Sequence, residues 1–122
     1  MLSKPYRLKK RKTFNYIYRR GKSFGCDCVT AVFVPARMPN APHIKIGFSA
    51  SKKVGNSVQR HRAVRVMRHA VKPFLKNIKP HHNIIFVAKE ILLQKTLAEV
   101  SNSCKNILCK AQLLQGGQNE HL

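Results

Sequence analysis

One change in apolar spacing governs what this 122-residue chain can fold into. Between 28 and 51 the apolar residues gather in short runs rich in β-branched and aromatic types, CVTAVFV (28–34) and IKIGFSAS (44–51), which read as strands. Beyond Asn56 the period changes. Ala63, Val64, Met67, Val71, Phe74 and Leu75 recur at i, i+3 and i+4, the spacing that sets one face of a helix against a core. A chain carrying both periods has to pack strands and helices around a shared interior, and at this length one such interior suffices.

The remaining elements follow from local signals. A basic arm over 4–12, interrupted by Pro5, leads into TFNYIYRRG, where Thr13 is placed to cap and Gly21 to end a short helix carrying Phe14, Ile17 and Tyr18 on one face. Residues 22–26 suggest a short strand. The strands over 28–34 and 44–51, separated by the proline-containing turn PARMPNAP, are expected to pair antiparallel. Asn56 or Ser57 caps the next helix, and Pro73 should kink or end it. NIIFVA (83–88) is short and continuously apolar, as befits a central strand. Leu97, Val100, Cys104, Ile107, Leu108 and Ala111 mark a last helix. The expected organisation is a single domain over 1–114 and a flexible tail over 115–122.

Charge narrows the function. Lysine and arginine number 24 against 4 aspartates and glutamates, a formal net charge of +20. Such an excess repels itself and is best neutralised by a polyanion, nucleic acid first among them. The carboxylates are Asp27, Glu90, Glu99 and Glu120, with none between Asp27 and Glu90. No stretch therefore offers the local carboxylate pair of a magnesium-dependent nuclease. No apolar run approaches the ~20 residues of a membrane span, and no apolar segment follows the basic start to form a secretory signal, so a cytoplasmic protein without membrane contact is expected. Cys26, Cys28, Cys104 and Cys109 are expected to be reduced thiols. A zinc module built from them and some of the six histidines is disfavoured by their C-x-C and C-x4-C spacing, so no bound metal is expected.

The cations concentrate in SKKVGNSVQRHRAVRVMRH. In helical projection His61, Arg65, Arg68 and Lys72 align along the flank of the apolar stripe, Arg62 and His69 lie farther round, and Arg60 falls toward the apolar side. An ordinary solvated helix face would carry acids among its bases, and this one has none. Lys52, Lys53 and the amides after Gly55 form a second anion-attracting element at the helix start. The phosphate-loop pattern GxxxxGK[ST] is absent from KKVGNS.

The same segment, SKKVGNSVQRHRAVRVMR, resembles the signature of the bacterial ribonuclease P protein subunit, S-K-K-x-G-x-(A/S)-V-x-R-N-R-x-K-R-x-x-R. Ser51, Lys52, Lys53, Gly55, Ser57, Val58, Arg60, Arg62, Arg65 and Arg68 match it. Upstream, RLKKRKTFNYIYRRGKSF is similar to the family's R-L-K-x-x-x-x-F-x-x-(V/I)-(F/Y)-x-x-G-x-S through Arg7, Leu8, Phe14, Ile17, Tyr18, Gly21 and Ser23. Two positions depart: His61 stands where the family has asparagine, keeping hydrogen-bonding capacity, and Val64 where it has lysine, losing the charge.

The resemblance implies an α+β two-layer sandwich in the order αβββαβα, with a mixed four-stranded sheet and a left-handed βαβ crossover, akin to RNA-binding ribosomal protein domains. It implies a subunit of the tRNA 5′-processing endoribonuclease in which a catalytic RNA and its magnesium ions cleave precursor tRNA, the protein binding no cofactor and needing no protein partner. Carried over by position, Lys52, Lys53, Arg60, His61, Arg62, Arg65 and Arg68 face the catalytic RNA, and Phe14 and Tyr18 line a cleft for the single-stranded 5′ leader. From periodicity alone, Phe14 and Tyr18 read as ordinary core packing rather than a leader cleft, and Tyr16 or Phe33 could equally be the exposed rings. A ribosomal-type RNA binder with no processing role is the alternative function.

Overall fold

The computed structural model of the chain describes residues 11–35, 45–78 and 82–113. The basic arm over 4–10, most of the proline-containing turn and the C-terminal tail lie outside them. The elements run α1 (Arg11–Arg20), β1 (Lys22–Gly25), β2 (Val29–Pro35), β3 (Lys45–Ala50), α2 (Ser57–Val71), β4 (His82–Ala88) and α3 (Leu97–Lys110), the αβββαβα order expected.

The four strands form one mixed sheet in the order β1-β2-β4-β3. β2 pairs antiparallel with β1 and with β4, whereas β3 pairs with β4 in parallel, Ile46 opposite Ile84 and Phe48 opposite Phe86. The expected antiparallel pairing of β2 with β3 is therefore wrong, because β4 lies between them. Nearness in sequence favours a hairpin. β4, however, has Ile84, Phe86 and Ala88 buried on one face and Ile85 on the other, so it loses most by lying at an edge and takes the centre.

Side-chain alternation divides the interior in two. Ala31, Ile46, Ile84, Phe86 and Ala88 face α2 and α3, joining Ala63, Met67, Val71, Val100, Cys104 and Leu108 in the main core. The sheet with these two helices makes the sandwich. Among the described elements α1 alone lies on the opposite face, where Ile17 packs on Val32, Val34 and Ile85.

Local chemistry sets the boundaries. Asn56 caps α2 by accepting from the Gln59 amide at 3.0 Å, while the Gln59 side chain accepts from the Asn56 amide at 2.9 Å. Thr96 and Glu99 form the same reciprocal box at the start of α3. Gly55, just before α2, has φ of 145° and a side chain there would collide with Gln59, so only glycine fits. Pro73 ends α2 at Val71, and the chain continues as a 3-10 helix, Lys72–Asn77, with Phe74 at non-helical angles. Thr13, the expected cap, falls inside α1, which already includes Arg11. Gly21 follows α1 as expected, but for reasons of space: a Cβ would lie 2.6 Å from the Ile17 carbonyl oxygen and 2.7 Å from Val32 Cγ1.

Candidate nucleic-acid interface

α2 packs over β3 and β4 and beside α3, where the Ser101 hydroxyl donates to the Ala70 carbonyl at 2.9 Å. Its opposite flank overlies β3, the edge strand. Along that flank Arg60, Val64 and Arg68 follow at four-residue intervals and are half-buried, while His61, Arg65 and Lys72 stand outside them in solvent. The Arg68 guanidinium lies 5.9 Å from the ring centroid of Phe48 on β3, and Phe48 stacks on Phe86 with centroids 5.8 Å apart. Its Nε is buried without a partner among the described residues, a donor that an incoming acceptor would satisfy.

The predicted cations thus divide. His61, Arg65, Arg68 and Lys72 share one flank, as the projection suggests, and Arg60 lies toward the apolar side, half-buried. Arg62 and His69 are exposed roughly 120° farther round from Arg68 and the row behind it, on the outward crown of the helix. Val64, where the family carries lysine, fills the gap between Arg60 and Arg68 as part of the core margin. Lys52 and Lys53 project from a 3-10 turn, Lys52–Val54, between β3 and α2, with the Lys53 amide donating to Ser51 Oγ at 3.1 Å.

The aromatic pair lies on the other face of the same edge strand. Phe14 is half-buried with its ring seated on Gly47, where any side chain would collide with it. Tyr18, one turn on, is 45% exposed and its ring centroid is 6.5 Å from that of Phe14. Phe14 thus divides its surface between core and cleft, and Tyr18 is the open ring. Tyr16 is half-buried against the small cluster beneath α1, and Phe33 points to the opposite face, stacked on Phe24 at 5.7 Å. Gly47 and Phe48 are consecutive, so one strand backbone separates the aromatic cleft from the arginine flank.

An open cleft of about 440 Å3 sits at the carboxyl ends of β3 and β4, lined by Asp27, Ser51, Lys53, Lys89, Glu90 and Ile91 among others. Two carboxylates far apart in sequence meet here. Asp27 is held by Lys95 at 2.9 Å, which keeps its carboxyl below the ordinary value, and Lys53 and Lys89 line the same cleft. Lys89 also donates to the Cys26 carbonyl. Glu99 is occupied in capping α3.

Reasoning from sequence missed Phe48 and Lys89. Lys89 follows a central parallel strand, where ligand-binding residues gather in α/β sheets. Val58, part of the motif over 51–68, stands 69% exposed in the first turn of α2.

A family model described as Ribonuclease P matches residues 2–112. This chain belongs to the ribonuclease P protein family. The ribonuclease P protein component of Clostridium novyi is 35% identical over 112 residues, covering 92% of this chain and 98% of its own length. That of Staphylococcus carnosus is 38% identical over 114 residues, covering 92% and 95%. A structure of the Staphylococcus aureus ribonuclease P protein, a mutant defective in mRNA degradation activity, superposes with a TM-score of 0.79 at 28% identity, covering 91% of this chain and 92% of that one. The mixed four-stranded α+β sandwich is the architecture of this ribonuclease P family.

Proposed function

We propose that this chain is the protein subunit of a ribonuclease P ribonucleoprotein that docks on a catalytic RNA through the β3-side flank of α2 and holds the 5′ leader of precursor tRNA beside α1. The carrying observation is β3 itself. With Phe14 seated on Gly47 and Arg68 lying over Phe48, an RNA strand crossing this edge meets a stacking ring on one side and a cluster of cations on the other. Stacking on an aromatic ring contributes roughly 1–3 kcal/mol per base whatever the base, which suits leaders of differing sequence. The cations contribute by displacing condensed counterions from phosphates.

The protein's part in the reaction is binding and orientation. Lys52, Lys53, Arg60, His61, Arg65 and Arg68 hold the RNA subunit, Arg62 extends contact from the crown of α2, and Tyr18 with the outer part of Phe14 receives the leader. The bond-breaking chemistry is assigned to the RNA and the magnesium ions it carries, with no cofactor bound by the protein for this step. The single-domain organisation over 1–114 and a cytoplasmic setting belong to the same proposal.

Reconstitution tests it. Added to the cognate RNA at near-physiological magnesium, the chain should raise precursor cleavage severalfold, whereas a purely structural RNA binder would leave the rate unchanged. The shared cleft of Asp27 and Glu90 supplies a second reading, a protein-borne nuclease. RNA-free protein that cleaved RNA, and lost that activity in Glu90→Gln, would move the chemistry to that cleft.

A further inference from the structure

The turn between β1 and β2 brings three donor side chains together without a role in RNA binding. The Cys26 and Cys28 sulfurs and a carboxylate oxygen of Asp27 all lie within 4.8 Å of one another. Around a tetrahedral zinc ion, with zinc–sulfur bonds of about 2.3 Å, two sulfurs stand roughly 3.8 Å apart. Closing the two sulfurs to that separation therefore needs a contraction of at most about 1 Å, within the reach of side-chain rotation.

The backbone beneath them is already held. The Cys26 amide donates to the Val29 carbonyl at 2.9 Å, the Lys89 amide to the Cys28 carbonyl at 2.9 Å, and the Lys89 ammonium to the Cys26 carbonyl. Ligands on a fixed turn lose little freedom on binding, which favours affinity. Cys28 is buried, Cys26 half-buried and Asp27 exposed on the rim of the open cleft, so an ion has both an apolar floor and a path from solvent.

We propose that the β1–β2 turn is a zinc site in which Cys26, Asp27 and Cys28 are the protein ligands and water completes the tetrahedron. Thiolates exclude magnesium and calcium, which take oxygen donors, and a mixed set of two sulfurs and one oxygen suits zinc. The charges balance. Two thiol protons leave to solvent as one dication arrives, and the Lys95 ammonium, now beside an anionic zinc–ligand group, keeps its ionic partner. In a chain of +20, that neutral exchange avoids the repulsion a cation would otherwise meet. Read along the chain, the four cysteines form two badly spaced pairs and predict no metal. The turn instead uses two of them with the aspartate between, and Cys109, exposed on α3, is outside the cluster.

The test uses the full chain, reduced and stripped of metal, titrated with zinc against a chromophoric chelator and separately with cobalt(II). One zinc per chain is expected, with thiolate-to-cobalt charge-transfer absorption in the near ultraviolet. Because losing even an outer-shell partner costs metal affinity roughly 10–100-fold, Cys26→Ser and Asp27→Asn should each weaken zinc by at least that much. Cys109→Ser should bind as the parent does. Zinc uptake unaffected by Cys26→Ser, lost in Cys109→Ser, or absent in the parent overturns the site. Should Cys26→Ser fail to fold, Asp27→Asn decides at an exposed position: unchanged affinity there rejects the three-ligand set.

Discussion

The two faces of the sheet are built for different ends. On one, α2 and α3 seal Ala31, Ile84, Phe86 and Ala88 beneath Ala63, Met67, Val100 and Leu108. On the other, a single short helix buries Ile17 against Val32, Val34 and Ile85, and leaves Tyr18 half in solvent. A sealed face supplies stability because its central side chains, Ile84, Phe86, Met67 and Leu108 among them, are removed from water. A partly covered one leaves stacking surface available to a ligand. Placing both on one sheet lets the first hold rigid what the second presents.

The largest expected effect breaks this contrast from the sealed side. Phe86→Ala, at a fully buried position under α2, should cost about 3–5 kcal/mol and lower the thermal midpoint so far that RNA binding fails through unfolding. On the binding side, Arg68→Ala should weaken the catalytic-RNA complex by roughly 1.5–3 kcal/mol, as for a lost hydrogen bond to a charged group. It should also reduce the salt slope of binding by about one unit, and Arg65→Ala should reduce that slope alike with less loss of packing. An unchanged slope in both variants would remove the α2 flank from the interface.

Tyr18→Ala sharpens the contrast within the open face. It should lower affinity for leader-bearing substrate by about 1–3 kcal/mol while thermal stability and assembly with RNA stay near those of the parent. Phe14→Ala should affect both, because its ring also fills the space over Gly47. Equal losses of substrate affinity and assembly in Tyr18→Ala would favour a structural role.

The smallest effect concerns pH. The ion pair with Lys95 holds the Asp27 carboxyl below its ordinary value, so the pair's stabilisation is present above the usual aspartate range and is lost as pH falls through the lowered value. Both groups are exposed, and salt should screen the contribution. Asp27→Asn should therefore flatten the acid limb of the stability profile slightly, measured by thermal melts from neutral to acid pH, and high salt should erase the difference.

Much of this architecture was legible because it is written in local chemistry. The i, i+4 row Ala63, Met67 and Val71 names the buried face of α2, Pro73 marks its end, and of the two cap candidates, Asn56 and Ser57, the helix uses Asn56. Two signals of that kind went unused: Asn56 with Gln59, and Thr96 with Glu99, each spell a capping box. The cation flank was legible for the same reason, since helical projection depends only on spacing, and it rightly separated Arg62 from Arg68.

The amino-acid order by itself determined the element sequence, the basic character of α2, the central, apolar nature of β4 and, through the motif over 51–68, the family. Only the tertiary structure decided that β4 enters between β2 and β3, that Phe33 and Phe14 point to opposite faces, that Asp27 meets Glu90 at one cleft, and that Arg68 rests over Phe48. Periodicity states which side of an element seeks burial. It cannot state which partner will bury it, because that depends on which arrangement of all the elements removes the most apolar surface from water at once.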